Sequence, residues 1–330
     1  MNTSQNFNKI YYRLKPFLPR WLQIWVRGSV VRAKRKRFSR CWPILHGAGR
    51  QPEIWPGWPG QKRFAVILTH DVESQQGLAN CRRVAEMEMK LGFRSSFNLV
   101  VQRYRLPALL RYELENTGFE IGVHGVYHDG KLFQSWENFS VRASIINYYL
   151  KKWNAVGFRS PSMHHNLEWL HELNILYDMS TFDTDPFEPQ SDGVATIFPF
   201  WVDRNGHTDR YLEMPYTLAQ DFTLFILMKE RSTRVWREKL DWIYNHGGMA
   251  LLNTHPDYMA FEGEKKSVDQ YPAELYLDFL QYVRSEYQGV YWHTLPKDMA
   301  KYYYESTTAP KAGGLDFRPQ TGKTKNTLSL

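Results

Sequence analysis

Cysteine is scarce, with only Cys41 and Cys81 in 330 residues. Two thiols cannot build a disulfide framework, and such low usage leans towards a reducing compartment. Long apolar runs are also missing: no stretch approaches the roughly 18 apolar residues that a membrane-crossing helix needs. Nor does any segment show the short apolar core followed by small residues that marks a secretory signal. The expectation is a cytoplasmic chain that does not span a membrane. No internal repeat recurs, which sets aside solenoids and propellers. Acidic residues are absent from the first fifty positions, which hold 12 Lys or Arg and no Asp or Glu. Because the whole chain is +8, residues 51–330 carry a net charge of −4. A polyanion-binding body is therefore not indicated, and nucleic acid is not expected as its partner.

What is present is an ordinary globular composition, 43% hydrophobic and 23% charged, with an aromatic share of 15% that mostly serves the core. The chain divides into a basic, aromatic-containing arm (1–50), a Pro/Gly linker (51–61), an α/β body (62–305) and a polar tail (306–330) expected to be disordered. The arm interleaves Trp21-Leu22-Gln23-Ile24-Trp25-Val26 with Arg20 and Arg27, then runs into Lys34-Arg35-Lys36-Arg37. Pro16 and Pro19 argue against one uninterrupted helix through its first third. Basic residues flanking Trp and Leu suit an anionic membrane surface, although a nucleic-acid contact or a transit peptide shares this composition. Peripheral contact at the inner membrane face is preferred to a plain solvated arm.

The body is organised around Phe64-Ala65-Val66-Ile67-Leu68, an apolar run with two β-branched members that reads as a strand buried on both faces. It ends in Thr69-His70-Asp71-Val72-Glu73, where α/β folds gather reactive groups beyond the carboxyl ends of their strands. Helical spacing is expected at 78–91, 107–116, 133–153, 166–173, 233–245, 272–287 and from 296. Strands are expected at 95–101, 119–124, 156–159, 197–202, 211–216, 249–253 and 290–293. This alternation predicts parallel strands joined by right-handed crossovers.

Four further stretches carry chemistry. His124 and His128 are four apart, a spacing that puts two imidazoles on one face of a helical turn as an open zinc site requires. The spacing alone is equally compatible with a structural pair. His124 nevertheless ends a strand as Asp71 and Glu73 do, so the three groups can converge at one sheet edge. Arg159, in Gly157-Phe158-Arg159-Ser160-Pro161, could hold a carboxylate in a bidentate pair. Residues 177–185 are rich in carboxylates that could align a histidine. His255, following Leu251-Leu252-Asn253-Thr254, could donate a proton to a leaving amine.

Taken in order, Thr-His-Asp-Val-Glu, Gly92-Phe93-Arg94-Ser95-Ser96-Phe97, Gly118-Phe119-Glu120-Ile121-Gly122 with His124 and His128, Phe158-Arg159-Ser160-Pro161, and Leu252 with His255 resemble the polysaccharide deacetylases of the NodB-homology type, carbohydrate esterase family 4. The resemblance covers about residues 62–300. It implies a distorted (β/α) barrel holding one divalent metal ion, usually Zn2+, that removes acetyl groups from N-acetylated sugars. His124 and His128 would be metal ligands, Asp71 the catalytic base, Arg159 its orienter and His255 the general acid. Leu252 would line the acetyl pocket, with Pro161 beside the substrate. The family commonly carries Thr-Phe-Asp-Asp-Gly in its first motif, whereas Val72 stands at the second Asp here. An Asp-x-Asp variant would make the longer Glu73 the carboxylate ligand; failing that, Asp71 would bind the metal and the base would be missing. Asp185, with Asp183 as the alternative, would orient His255, and Phe187 takes the place of the usual Trp. An acetylated carbohydrate, lipid- or nucleotide-linked, is the implied substrate. Two alternatives stay open: hydrolysis of another non-peptide C–N bond, and a non-catalytic sugar-binding or scaffold protein at the membrane surface.

Overall fold

Strand β1, Phe64–Val72, is buried along its whole length and runs through the centre of the molecule. The computed structural model describes residues 19–205 and 209–308. The first part of the basic arm, residues 206–208 and most of the expected tail lie outside the described residues. Among the described residues, no helix is long and apolar enough to cross a membrane.

Helix α1 (Arg20–Arg35) precedes β1. Helix α2 (Gln75–Leu91), strand β2 (Ser96–Leu99), helix α3 (Ala108–Asn116), strand β3 (Glu120–Val123), helix α4 (Trp136–Trp153), and strands β4 (Gly157–Phe158) and β5 (Tyr177–Asp178) follow. An antiparallel pair, β6 (Phe200–Arg204) and β7 (Asp209–Glu213), leads through a π-helical segment, Phe222–Leu227, to helix α5 (Arg234–His246) and strand β8 (Met249–Thr254). The short parallel pair β9 (Met259–Ala260) and β10 (Tyr271–Pro272), helix α6 (Glu274–Tyr287), strand β11 (Tyr291–His293) and helix α7 (Pro296–Thr308) complete the chain.

The main sheet runs β11-β1-β2-β3-β4-β5-β7-β6, with β8 on the other edge of β1. Apart from β6–β7 every pairing in it is parallel. The sheet curls, and isolated bridges from Phe182 to Tyr216 and from Leu218 to Leu252 carry it round towards β8. The parallel strands are those the strand and helix rhythm predicts, and the result is the distorted (β/α) barrel that the resemblance implied.

A two-residue alternation sorts side chains between the barrel interior and the helices outside. Ala65, Ile67, Met249 and Leu251 join Tyr177, Met214 and Tyr216 in an inner apolar cluster. Val66, Leu68, Ala250 and Leu252 belong to the larger cluster beneath the helices. Leu252 therefore packs against the helix layer and does not line an interior pocket, because it is in register with outward-facing Leu68. The interior partner of the following position is Asn253, opposite Thr69. His70 is also outward: its Nδ1 lies 2.7 Å from Thr254 Oγ1 and its Nε2 2.8 Å from Glu88 Oε1. Its position in the chain suggested chemistry, but the alternation turns it into a buried structural pair.

Two stretches are more tightly integrated than their composition implies. In the segment read as a linker, Trp58 is buried in the inner cluster and donates to the carbonyl of Gly247 at 2.8 Å. Helix α1 begins directly after Pro19 and packs Ile24, Gly28 and Val31 onto the body. Gly28 permits this approach, since a Cβ there would lie 2.9 Å from the carbonyl oxygen of Leu227.

Candidate metal and catalytic site

Three ligand-type side chains meet at the carboxyl ends of β1 and β3. Glu73 follows β1, and His124 and His128 follow β3; each offers a ligand atom within 4.8 Å of the others. The histidine pair is not on a helix. Gly125 (φ +67°) and His128 (φ +50°) turn the chain through left-handed conformations that bring the rings to 5.3 Å between centroids. Gly125 is doubly constrained, because a Cβ would also meet Pro161 Cγ at 2.6 Å. Pro161 itself is buried and packs beneath that turn.

The environment of each histidine fits metal ligation. His124 Nδ1 lies 3.0 Å from the carbonyl oxygen of Arg159, an acceptor only, so Nδ1 carries the proton and Nε2 keeps its lone pair. That Nε2 is buried without a hydrogen-bond partner. Burial lowers the His124 pKa to about 4 against the opposing pull of Asp71, so the ring is neutral at pH 7. His128 Nε2 is likewise without a hydrogen-bond partner, although Glu73 Oε1 is 2.8 Å away. Burial disfavours charge on His128, but the Glu73 carboxylate outweighs it and raises the ring's pKa. Glu73 Oε2 accepts from Tyr258 Oη at 2.8 Å, which fixes the other oxygen towards the histidines. The extra methylene of glutamate thus lets Glu73 reach the pair from two residues beyond Asp71.

Asp71 points into the interior from β1 and is held on all sides. Asn98 Nδ2 donates to Oδ1 and Asn253 Nδ2 to Oδ2, both at 2.8 Å. Arg159 Nη1 lies 3.5 Å from Oδ1 and donates to Thr69 Oγ1 at 2.7 Å, while its Nε donates to the carbonyl of Met179. Arg159 is therefore beside Asp71, in a single long contact and not a bidentate pair. Burial would raise the Asp71 pKa, but His124, Arg159 and His255 outweigh it and hold the carboxyl at about 2. Oδ2 lies 3.9 Å from His124 Nε2, so Asp71 borders the ligand cluster without joining it.

His255 follows β8 and turns Nε2 towards Glu73 Oε1 at 3.7 Å. Its Nδ1 lies 2.7 Å from Asp221 Oδ1, and its backbone N–H donates to Asp221 Oδ2. Burial works against a charged ring, but Asp221, Glu73 and Asp71 raise its pKa to about 10. The carboxylate that orients His255 is therefore Asp221, and the assignment to Asp185 is corrected. Asp185 instead accepts from Tyr216 Oη and the N–H of Phe187, each at 3.0 Å. Asp183, the alternative, forms a buried ion pair with Lys239 at 2.5 Å. Phe187 packs edge-on against Trp42.

Sequence reasoning missed Asp221, Asn98, Asn253 and Tyr258. The two asparagines leave a trace, since each interrupts an apolar strand at an inward position. Asp221 leaves none: it precedes the apolar run Phe222–Leu227 as a helix-capping residue would, and its side chain does meet the N–H of Phe222.

No protein-family model matches the chain, and no curated protein matches it in sequence. Solved structures do match in shape. A structure assigned as a polysaccharide deacetylase of Mycobacterium smegmatis superposes with a TM-score of 0.61 at 17% identity, covering 84% of this chain and 99% of that one. PuuE allantoinase gives 0.58 at 17% identity over 80% and 97% of the two chains. A structure assigned as a polysaccharide deacetylase of Pseudomonas aeruginosa PAO1 gives 0.58 at 16% identity over 79% and 97%. At these identities the likeness concerns architecture: the chain has the (β/α) barrel fold of the NodB-homology polysaccharide deacetylases, carbohydrate esterase family 4.

Proposed function

We propose that the chain is a metal-dependent hydrolase that removes acetyl groups from an N-acetylated sugar or polysaccharide precursor. The observation that carries this reading is the buried, unpartnered Nε2 of His124 beside His128 Nε2 and the Glu73 carboxylate, with ligand atoms of all three within 4.8 Å of one another. Two imidazole nitrogens, His128 having given up any proton it shares with Glu73, and one carboxylate suit a divalent ion, and Zn2+ best of the common ones. The chemistry such an ion supplies is polarisation of an acyl carbonyl and a lowered pKa for water.

The chain's own groups do the rest. Asn98, Asn253 and Arg159 fix the Asp71 carboxylate, so that it enters the reaction charged and oriented, and Oδ2 receives the proton released by the attacking water. His255, charged and aligned by Asp221, delivers its Nε2 proton to the sugar nitrogen as the C–N bond breaks, so that acetate and a neutral amine leave. Pro161, under the Gly125 turn, contributes to the wall beside the substrate. The shape match to an allantoinase keeps hydrolysis of cyclic amides as the competing reading.

The test is release of acetate from N-acetylated amino-sugar oligomers by zinc-reconstituted protein, run beside ring opening of a cyclic amide. Acetate release that falls by about a hundredfold or more in Asp71→Asn and His255→Ala supports the proposal. Ring opening without acetate release would replace it with the competing reading.

A further inference from the structure

The outer side of α1 is unlike the rest of the surface. Its inner side is anchored by Ile24, Gly28 and Val31 and by ion pairs at both ends, Arg20 to Asp269 at 3.0 Å and Arg35 to Glu230. These contacts fix which side of the helix faces the body. There Trp21 and Trp25, one turn apart, are 58% and 62% exposed, with Val30 also exposed further along. These two indoles are the most exposed tryptophans among the described residues. At and beyond the C-terminal end of the helix, Lys34, Lys36, Arg37 and Arg40 are exposed and form no ion pair among the described residues. Lys229 and Arg231 flank Glu230, the partner of Arg35, and add two more exposed cations beside the helix. The first fifty residues supply no acidic group to neutralise this surface.

Indole rings prefer the boundary between headgroups and acyl chains, and an unpaired run of Lys and Arg is attracted to anionic headgroups. A protein partner could cover the tryptophans, but it would leave the surrounding cations to find acids singly. An anionic bilayer satisfies both kinds of group at once. We infer that α1, as a preformed and rigidly docked helix, seats the protein on an anionic lipid bilayer through Trp21, Trp25 and the cations from Lys34 to Arg40. This docking stands apart from the hydrolytic reading and would hold for a barrel of any activity. It does set where the centre lies: Arg20 and Arg27 reach the ring of Phe222 at 5.7 and 5.2 Å, Phe222 packs on Tyr258 at 4.8 Å, and Tyr258 donates to Glu73. The helix on the bilayer is thus within two side chains of the candidate metal ligands.

The experiment is co-sedimentation of the full chain with vesicles of phosphatidylcholine alone and with one-third phosphatidylglycerol. The expected result is binding to the anionic vesicles about tenfold or more tighter than to the neutral ones. Trp21→Ser with Trp25→Ser should weaken it by about tenfold, and Lys36→Glu with Arg37→Glu by a similar factor. Circular dichroism and the thermal midpoint of both double variants should match wild type, because the altered side chains are exposed. Equal affinity for both vesicles, binding to neither, or full binding retained by both double variants overturns the inference. So does self-association in lipid-free buffer that the Trp21/Trp25 variant abolishes, or a preference for duplex DNA over vesicles that the Lys36/Arg37 variant abolishes.

Discussion

At His255 the imidazole is gripped twice by one carboxylate, with Asp221 accepting from the backbone N–H and facing Nδ1. This grip favours the charged ring, as the pKa of about 10 records. Asp221→Asn keeps the shape and removes the charge, so the pKa of His255 should fall. The sign follows directly: the acid form is then lost at lower pH, and the alkaline limb of the activity profile moves towards neutrality. Turnover at neutral pH should drop by about tenfold to a hundredfold while bound metal is retained. Histidine titration by NMR alongside the pH–rate profile checks both parts. His70 offers the opposite contrast. It sits on the helix side of β1 against Glu88, which also accepts from Ser95 Oγ and Tyr276 Oη. His70→Ala leaves that buried carboxylate without its imidazole, and denaturant titration should show a loss of about 3 to 5 kcal/mol. Metal stoichiometry should be unchanged. The two histidines look equally reactive in the chain, and only the alternation along β1 and β8 separates the structural one from the proposed general acid. Asp221 was illegible for another reason: it meets His255 across 34 residues, with no spacing rule to connect them.

Among the elements, the long apolar strands were the easiest to read. β1 and β8 are continuous apolar runs, and their ends carry the residues expected there. The short strands were harder. β5 is only Tyr177–Asp178, too short to show an alternation, and its stretch was read for its carboxylates with no strand expected there. The turn from His124 to His128 read as helical because four-residue spacing is helical by default, but left-handed residues at Gly125 and His128 achieve the same convergence in a loop. β3 carries a further consequence for stability. Its inward Glu120 accepts from Tyr177 Oη at 2.7 Å and from the N–H of Lys297 at 3.0 Å, and burial raises its carboxyl to about pKa 7. The folded state therefore holds this proton more tightly than the unfolded chain, whose glutamate titrates near 4.3. The resulting contribution is complete below about pH 4 and is lost as pH rises to about 7. Glu120→Gln, which mimics the protonated group, should gain stability relative to wild type between pH 5 and 8, by about 3 to 4 kcal/mol at most. Thermal midpoints of both proteins across that range provide the check.

For the molecule as a whole, the barrel provides a rigid frame in which inward positions of β1, β2, β3 and β8 converge on one polar layer. Asp71, Asn98, His124 and Asn253 all come from it, and the loops after β1 and β3 add Glu73 and His128. The fold and this convergence were visible from five short motifs in their order, whereas the supporting partners were not. Leu252 lay in the right motif on the wrong face, and Asp185 in the right motif without reach. The central claim is the ligand set itself, and metal content tests it most directly. Protein purified without chelator, measured for zinc and other divalent ions in wild type, Glu73→Ala and His124→Ala, should contain about one ion per wild-type chain and lose most of it in both variants. Wild type that holds no ion and takes none up on reconstitution, or variants that keep a full complement, would contradict the account.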